Sequence, residues 1–175
     1  GVPMAFLAAR NTTPSITFVR PIALLVIVSS RSINSLIWAL LLVSILGPGV
    51  LAGIVAIALR SIGFIGKLLY EAIEEIDVSQ VEAVTATGAG PAQVMDYAIV
   101  PQIMPAFAGI TVFRWDINIR ESAVVGLVGA GGLGLQLDSS LNTLAWPQVG
   151  VILLVILATV LLSEWLSAKV RHAII

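Results

Sequence analysis

The sequence predicts an all-α protein that crosses a membrane, and three observations predict it. Of its 175 residues, 58% are hydrophobic and 11% are charged, with a mean hydropathy of +1.05. A soluble domain carries about 25% charged residues, so this chain lacks the polar surface an ordinary soluble fold needs. Uncharged runs reach the length of about 20 residues that a helix needs to span a bilayer, Leu144 to Ser163 most clearly. Turn signals punctuate those runs, the strongest being Gly47-Pro48-Gly49. A net charge of −1 with no basic cluster gives no sign of a nucleic-acid partner. The absence of cysteine excludes disulfides and thiolate metal sites.

Taken in order, residues 1–9 read as the remnant of an apolar helix that ends at Arg10. No basic region precedes that run, so it does not resemble a signal peptide, and further residues are expected upstream. The uncharged stretch Ser32 to Leu59 is too long for one helix and is cut at Gly47-Pro48-Gly49. Two helices follow, over about 21–46 and 50–75. A short helix within 79–90 comes next. Ser79 followed by Glu82 fits the S-x-x-E capping box and makes Ser79 the expected N-cap. Gly88 and Gly90 can take left-handed geometry at its end, and Pro91 stops its continuation. Ala83, Ala86 and Ala89 form a ridge of small residues that a partner can approach closely. A longer helix is expected over 93–121, where Pro101 and Pro105 each remove a backbone donor and favour a bend. The glycine-rich stretch after it reads as non-helical, and a last helix covers 147–168, with Pro147 tolerated in its first turn. The whole is one transmembrane domain, 1–175.

Basic residues set the expected orientation. Arg10, Arg20, Lys67, Lys169, Arg171 and His172 fall on one side. The segment from Ser122 to Trp146, on the other, holds no Lys or Arg. The Glu82 loop and the C-terminus are therefore expected in the cytoplasm.

Charged groups at membrane depth are costly and mark function or internal pairing. Arg114, Asn118 and Glu121 recur at helical spacing and share a face. Asp116 and Arg120 stand i, i+4 and can pair. Arg60 interrupts an apolar helix and can pair with Asp116 or Glu121, or face a pathway. Two readings stay open: a lining of donors for an anion's path (Arg60, Arg114, Asn118, Arg120), or an ion-pair network that holds helices together. Gly129, Gly131 and Gly134 spell G-x-G-x-x-G, but no βαβ context surrounds them. Leu154 stands where the acidic ribose ligand belongs. Close backbone packing is the better reading.

Glu82-Ala83, with Gly88 six residues after the Glu and Pro101 thirteen residues after that Gly, resembles the EAA motif of ABC-importer permeases. Val84, Ala98 and Val100 depart from the motif but keep its small or apolar character. Arg114-x-Asp116-Ile117-Asn118-Ile119-Arg120, the stretch Val125 to Gly134 and Pro147-Gln148-Val149 look like the phosphonate-type branch, as do Tyr70 to Glu74 and Pro101-Gln102. Asp116 stands where the family more often has Glu, and Asn34 where it often has Pro, which argues against a helix break at that point. The resemblance implies a type I ABC-importer permease bundle in a bacterial inner membrane, methionine-permease-like, with a cytoplasmic coupling helix. It implies a second permease copy, two ATPase subunits and an extracytoplasmic solute-binding protein as partners. It also implies that Glu82, Ala83, Ala86, Gly88 and Pro101 serve ATPase docking and its coupling to helix tilt. The chain has no G-x-x-x-x-G-K-[ST], so ATP and magnesium are expected on the partner, with no catalytic residue, metal or cofactor here. The expected cargo is phosphonate or a related phosphorus oxyanion, such as phosphite or a phosphate ester. The alternatives are another small solute such as methionine, or an ion-coupled secondary transporter, which broken helices and buried charge also suit. A membrane enzyme ranks below these: no metal-spaced His/Asp/Glu set appears, and His172 lies in a basic tail.

Overall fold

The computed structural model describes residues 1–174, with side chains through Arg171, so the side chain of His172 lies outside the described residues. The described residues are arranged as helices: α1 (Val2–Ala8), α2 (Val19–Ser32), α3 (Ser35–Leu46), α4 (Val50–Glu74), α5 (Val78–Ala86), α6 (Pro91–Val94), α7 (Val100–Val125), α8 (Gly132–Asn142) and α9 (Trp146–Ile174). Val50–Glu74, the continuous run Pro91–Ala130 and Trp146–Arg171 are each long and apolar enough to cross a membrane. The bent pair α2–α3 supplies a fourth span if counted as one.

α4 is the hub, and small residues make it one. Ala52, Gly53, Ala56, Gly63 and Gly66 are all buried, which lets α1, α2, α3 and α7 pack against its backbone. In a bilayer, where lipid is as apolar as leucine, such close packing is a main source of helix association. At Gly63 an added Cβ would lie 2.6 Å from the Arg31 nitrogen and the Ile27 carbonyl oxygen. α9 lies against α7 and α8 and turns Leu153, Leu154, Leu157, Leu161 and Leu162 outward, as a helix facing lipid should.

Three expectations need correction. The helix expected over 21–46 is two helices bent by 89° at Ile33 and Asn34. Asn34 does not prevent the break. Its Oδ1 accepts from the Leu36 N–H at 3.1 Å and caps α3, supplying an N-terminal acceptor that proline lacks. The N-cap of α5 is Asp77, not Ser79: the Ser79 N–H and hydroxyl both donate to Asp77 Oδ1, at 2.9 and 2.7 Å. The stretch 126–146 is not wholly irregular. Gly129, Gly131 and Gly132 take positive φ, and α8 then runs for 11 residues.

The G-x-G-x-x-G spelling resolves into packing. An added Cβ at Gly131 would lie 2.7 Å from Val50 Cγ2, and one at Gly134 would lie 2.2 Å from the Ala123 carbonyl. The Gly49 N–H donates to the Gly129 carbonyl at 3.0 Å, tying the two outer turns together.

Candidate functional site

At one end of the bundle α5 stands clear of the core. None of its residues is buried, and Glu82, Ala83, Ala86 and Gly88 are all exposed. Gly88 takes φ +84 with open space around its Cα, so the helix ends in the left-handed turn the sequence suggests. Gly90 does not share it. Its φ is −72, and Pro91 opens α6 as a first-turn residue. A notch of about 380 Å³ opens beside the turn, lined by Val84, Thr87, Gly88, Ala89, Gln93 and Tyr97.

The link from α5 to the spans runs through Gln102, which sequence reasoning did not single out for this role. Its Oε1 accepts from the Asp77 N–H at 2.9 Å, and its Nε2 donates to the Ala98 carbonyl at 2.8 Å. Pro101 precedes it and has no N–H to continue the helical ladder. The backbone over Met95–Ile99 widens into a π turn just before it. One side chain therefore joins the start of α5, the π turn and α7.

Deeper in the bundle the charged residues form two sets. Glu121 accepts from Arg60 and, at 3.3 Å, from Arg114. Arg114 also donates from Nε to Ser61 Oγ at 3.0 Å, and its guanidinium lies 5.2 Å from the Phe64 ring centre. Ser61 Oγ lies 3.4 Å from Asn118 Oδ1. Arg60 further reaches Ser35 Oγ at 3.4 Å. This set ties α4 to α7. In the second set Asp116 accepts from Arg120 and, at 3.0 Å, from Ser163 Oγ, tying α7 to α9. Of the pairings expected from the sequence, Asp116 with Arg120 and Arg60 with Glu121 are present, and Arg114 and Glu121, expected to share a face, are also paired. Ser61 and Ser163 carried no sequence signal, because each lies about 50 residues from its partner.

Exposure separates the four candidate donors. Arg114 is 2% exposed and donates to Ser61 and Glu121. Arg60 and Asn118 are half-buried. The Arg120 side chain is 50% exposed.

Residues 1–172 match the family described as binding-protein-dependent transport system inner membrane component. The chain belongs to that family. It is a multi-pass inner membrane component, consistent with its apolar spans. It is 44% identical over 168 residues to the phosphite transport system permease protein PtxC of Stutzerimonas stutzeri, covering 96% of this chain and 61% of that protein. It is 44% identical over 174 residues to the phosphate-import permease protein PhnE of Mycolicibacterium smegmatis, covering 99% of this chain and 32% of that protein. The chain thus spans less than two thirds of the length of either relative. Among solved structures, a chain of the MetNI methionine ABC transporter in an inward-facing conformation superposes with a TM-score of 0.80 at 23% identity. The match covers 99% of this inner membrane component and 85% of that chain. The fold is that of an ABC-importer permease.

Proposed function

We propose that this chain is the membrane-spanning permease subunit of an ATP-driven importer for phosphonate or a related phosphorus oxyanion. The observation that carries the reading is its 44% identity, across almost its full length, to permeases named for phosphite and phosphate import. In this reading ATP and magnesium sit on partner ATPase subunits. An extracytoplasmic binding protein delivers the solute, which crosses between two permease copies. The exposed α5, with Glu82, Ala83, Ala86 and Gly88 on its open surface, docks into the ATPase in the cytoplasm. ATPase movement shifts α5, and the Asp77–Gln102 hydrogen bond passes that shift to α7 beyond Pro101. Arg120 on the α9 side of α7, and Arg60, Arg114 and Asn118 on its α4 side, are the candidate donors toward the solute path.

The test is ATP hydrolysis by the assembled complex, stimulated in turn by methylphosphonate, phosphite, phosphate and methionine. Stimulation by one or more phosphorus oxyanions is expected. Stimulation by methionine alone would give the chain to an amino-acid importer. Solute uptake into vesicles by this chain without ATPase or ATP would give it to the ion-coupled class.

A further inference from the structure

The cleft between α2 and α4 holds cations that none of the roles above employs. Arg31 lies in the last turn of α2 and is exposed. Among the described residues its guanidinium has no hydrogen bond and no ion pair. Its backbone packs on Gly63, near the middle of the 25-residue α4. An arginine at that depth is costly against lipid, so its open face calls for water or a counter-anion.

A cavity of about 320 Å³ adjoins it, lined by Arg31, Lys67 and Tyr70 with Leu24 and Val28 among its apolar walls. One water occupies roughly 30 Å³ in the liquid, so a small hydrated anion fits. Lys67 donates to the Tyr70 hydroxyl oxygen at 2.7 Å and pairs with Glu71. That engages two of its three donors. Tyr70, accepting from Lys67, keeps its own O–H to donate. The cleft thus offers a free guanidinium, one ammonium N–H and one phenol. The nearby acidic group, Glu71, is already neutralised by Lys67. The donors are also held in place. Ser30 Oγ accepts from the Gly63 N–H at 3.1 Å and donates to the Leu59 carbonyl, locking α2 onto α4 one residue before Arg31.

We propose that Arg31, Lys67 and Tyr70 form an oxyanion site in the α2–α4 cleft that takes the tetrahedral phosphorus oxyanion during its passage. This rests on the importer reading above. A phosphorus oxyanion can also be a lipid headgroup, so the test has two lipid arms. The complex of this permease with its ATPase and binding protein is placed in vesicles of the phosphate-free galactolipid digalactosyldiacylglycerol, alone or with added phosphatidylglycerol. Uptake of phosphite and methylphosphonate is measured at saturating binding protein. Arg31→Gln is expected to lower uptake about tenfold or more, the effect of losing a charged hydrogen-bond donor, in both lipids. Arg31→Lys should recover much of the loss, and Tyr70→Phe should lose severalfold. Wild-type uptake by Arg31→Gln and Tyr70→Phe would overturn the site while leaving the importer reading intact. A loss seen only with phosphatidylglycerol would reassign the cleft to a lipid headgroup. A wild-type complex that carries neither oxyanion would overturn the importer reading first. If Arg31→Gln fails to assemble with the ATPase, Tyr70→Phe, which removes one hydroxyl and little volume, decides alone.

Discussion

Among the described residues Glu121 is the one counter-charge paired with two guanidiniums, those of Arg60 and Arg114. Removing it leaves both cations facing each other in a poorly solvated site. Glu121→Gln is therefore expected to destabilise the protein by about 3–5 kcal/mol, read as a lower melting temperature in detergent. Replacing the whole set, with Arg60→Met, Arg114→Met and Glu121→Leu, should recover most of that loss, because no unpaired charge remains. A triple variant as unstable as Glu121→Gln would show that something other than charge pairing holds α4 to α7. Asp77 gives a second prediction, one of pH. The Ser79 hydroxyl, and then the Ser79 N–H, hold its carboxyl below the ordinary value of 3.8. A carboxylate lowered on folding adds stability above its unfolded value and loses it as pH falls through the folded value. The first turn of α5 should therefore stay capped at neutral pH and fray only below about pH 4. Amide hydrogen exchange at Ser79 to Val81 reads this directly, and Asp77→Asn should flatten the response.

At the scale of the elements, α5 and α7 are joined by a side chain rather than by packed apolar surface. Gln102→Ala removes the acceptor for the Asp77 N–H and the donor to the Ala98 carbonyl. On the importer reading the expected result is slipping: ATP hydrolysed per solute imported rises severalfold, while the ATPase still copurifies. An unchanged ratio would place the coupling elsewhere. The cap of α5 was hard to read in the sequence because Asp77 and Ser79 are both good N-caps and stand two residues apart; Asp77 takes the role because its Oδ1 accepts from both the N–H and the hydroxyl of Ser79. The spans themselves were legible, since uncharged runs and Gly47-Pro48-Gly49 mark them. The break at Asn34 was less so: Ser29 to Ser35 is polar at every position but Ile33, but no glycine or proline marks a stop there. α8 was hidden for the opposite reason: its flanking glycines read as irregular, yet Gly129, Gly131 and Gly132 absorb the turn and free Leu133 to Leu141 to be helical. The charged pairs on α7 followed from spacing along one helix. Arg60 on α4 announced itself as a charge in an apolar helix, whereas Ser61 on α4 and Ser163 on α9 are tertiary partners with no local signature.

For the whole molecule, the decisive property is that one end of the bundle carries a helix without a buried residue. A helix so placed contributes little to the fold, so its sequence can be altered without unfolding the spans. Ala86→Trp adds bulk on the exposed surface and should leave the melting temperature unchanged while cutting ATPase copurification tenfold or more. Gly88 needs separate treatment, because its φ of +84 strains any side chain even though the space around it is open. The cost of a left-handed residue is about 1–2 kcal/mol, and asparagine tolerates that geometry better than most. Gly88→Asn thus preserves the turn more nearly and adds a modest polar group, whereas Gly88→Asp adds charge at the mouth of the notch beside Tyr97. If the turn alone matters, both variants should behave alike. If the surface docks, Gly88→Asp should lose the ATPase more completely than Gly88→Asn. Retention of the ATPase by Gly88→Asp with transport intact would remove α5 from the docking role. On the importer reading the chain would then need another surface to receive the work of ATP hydrolysis.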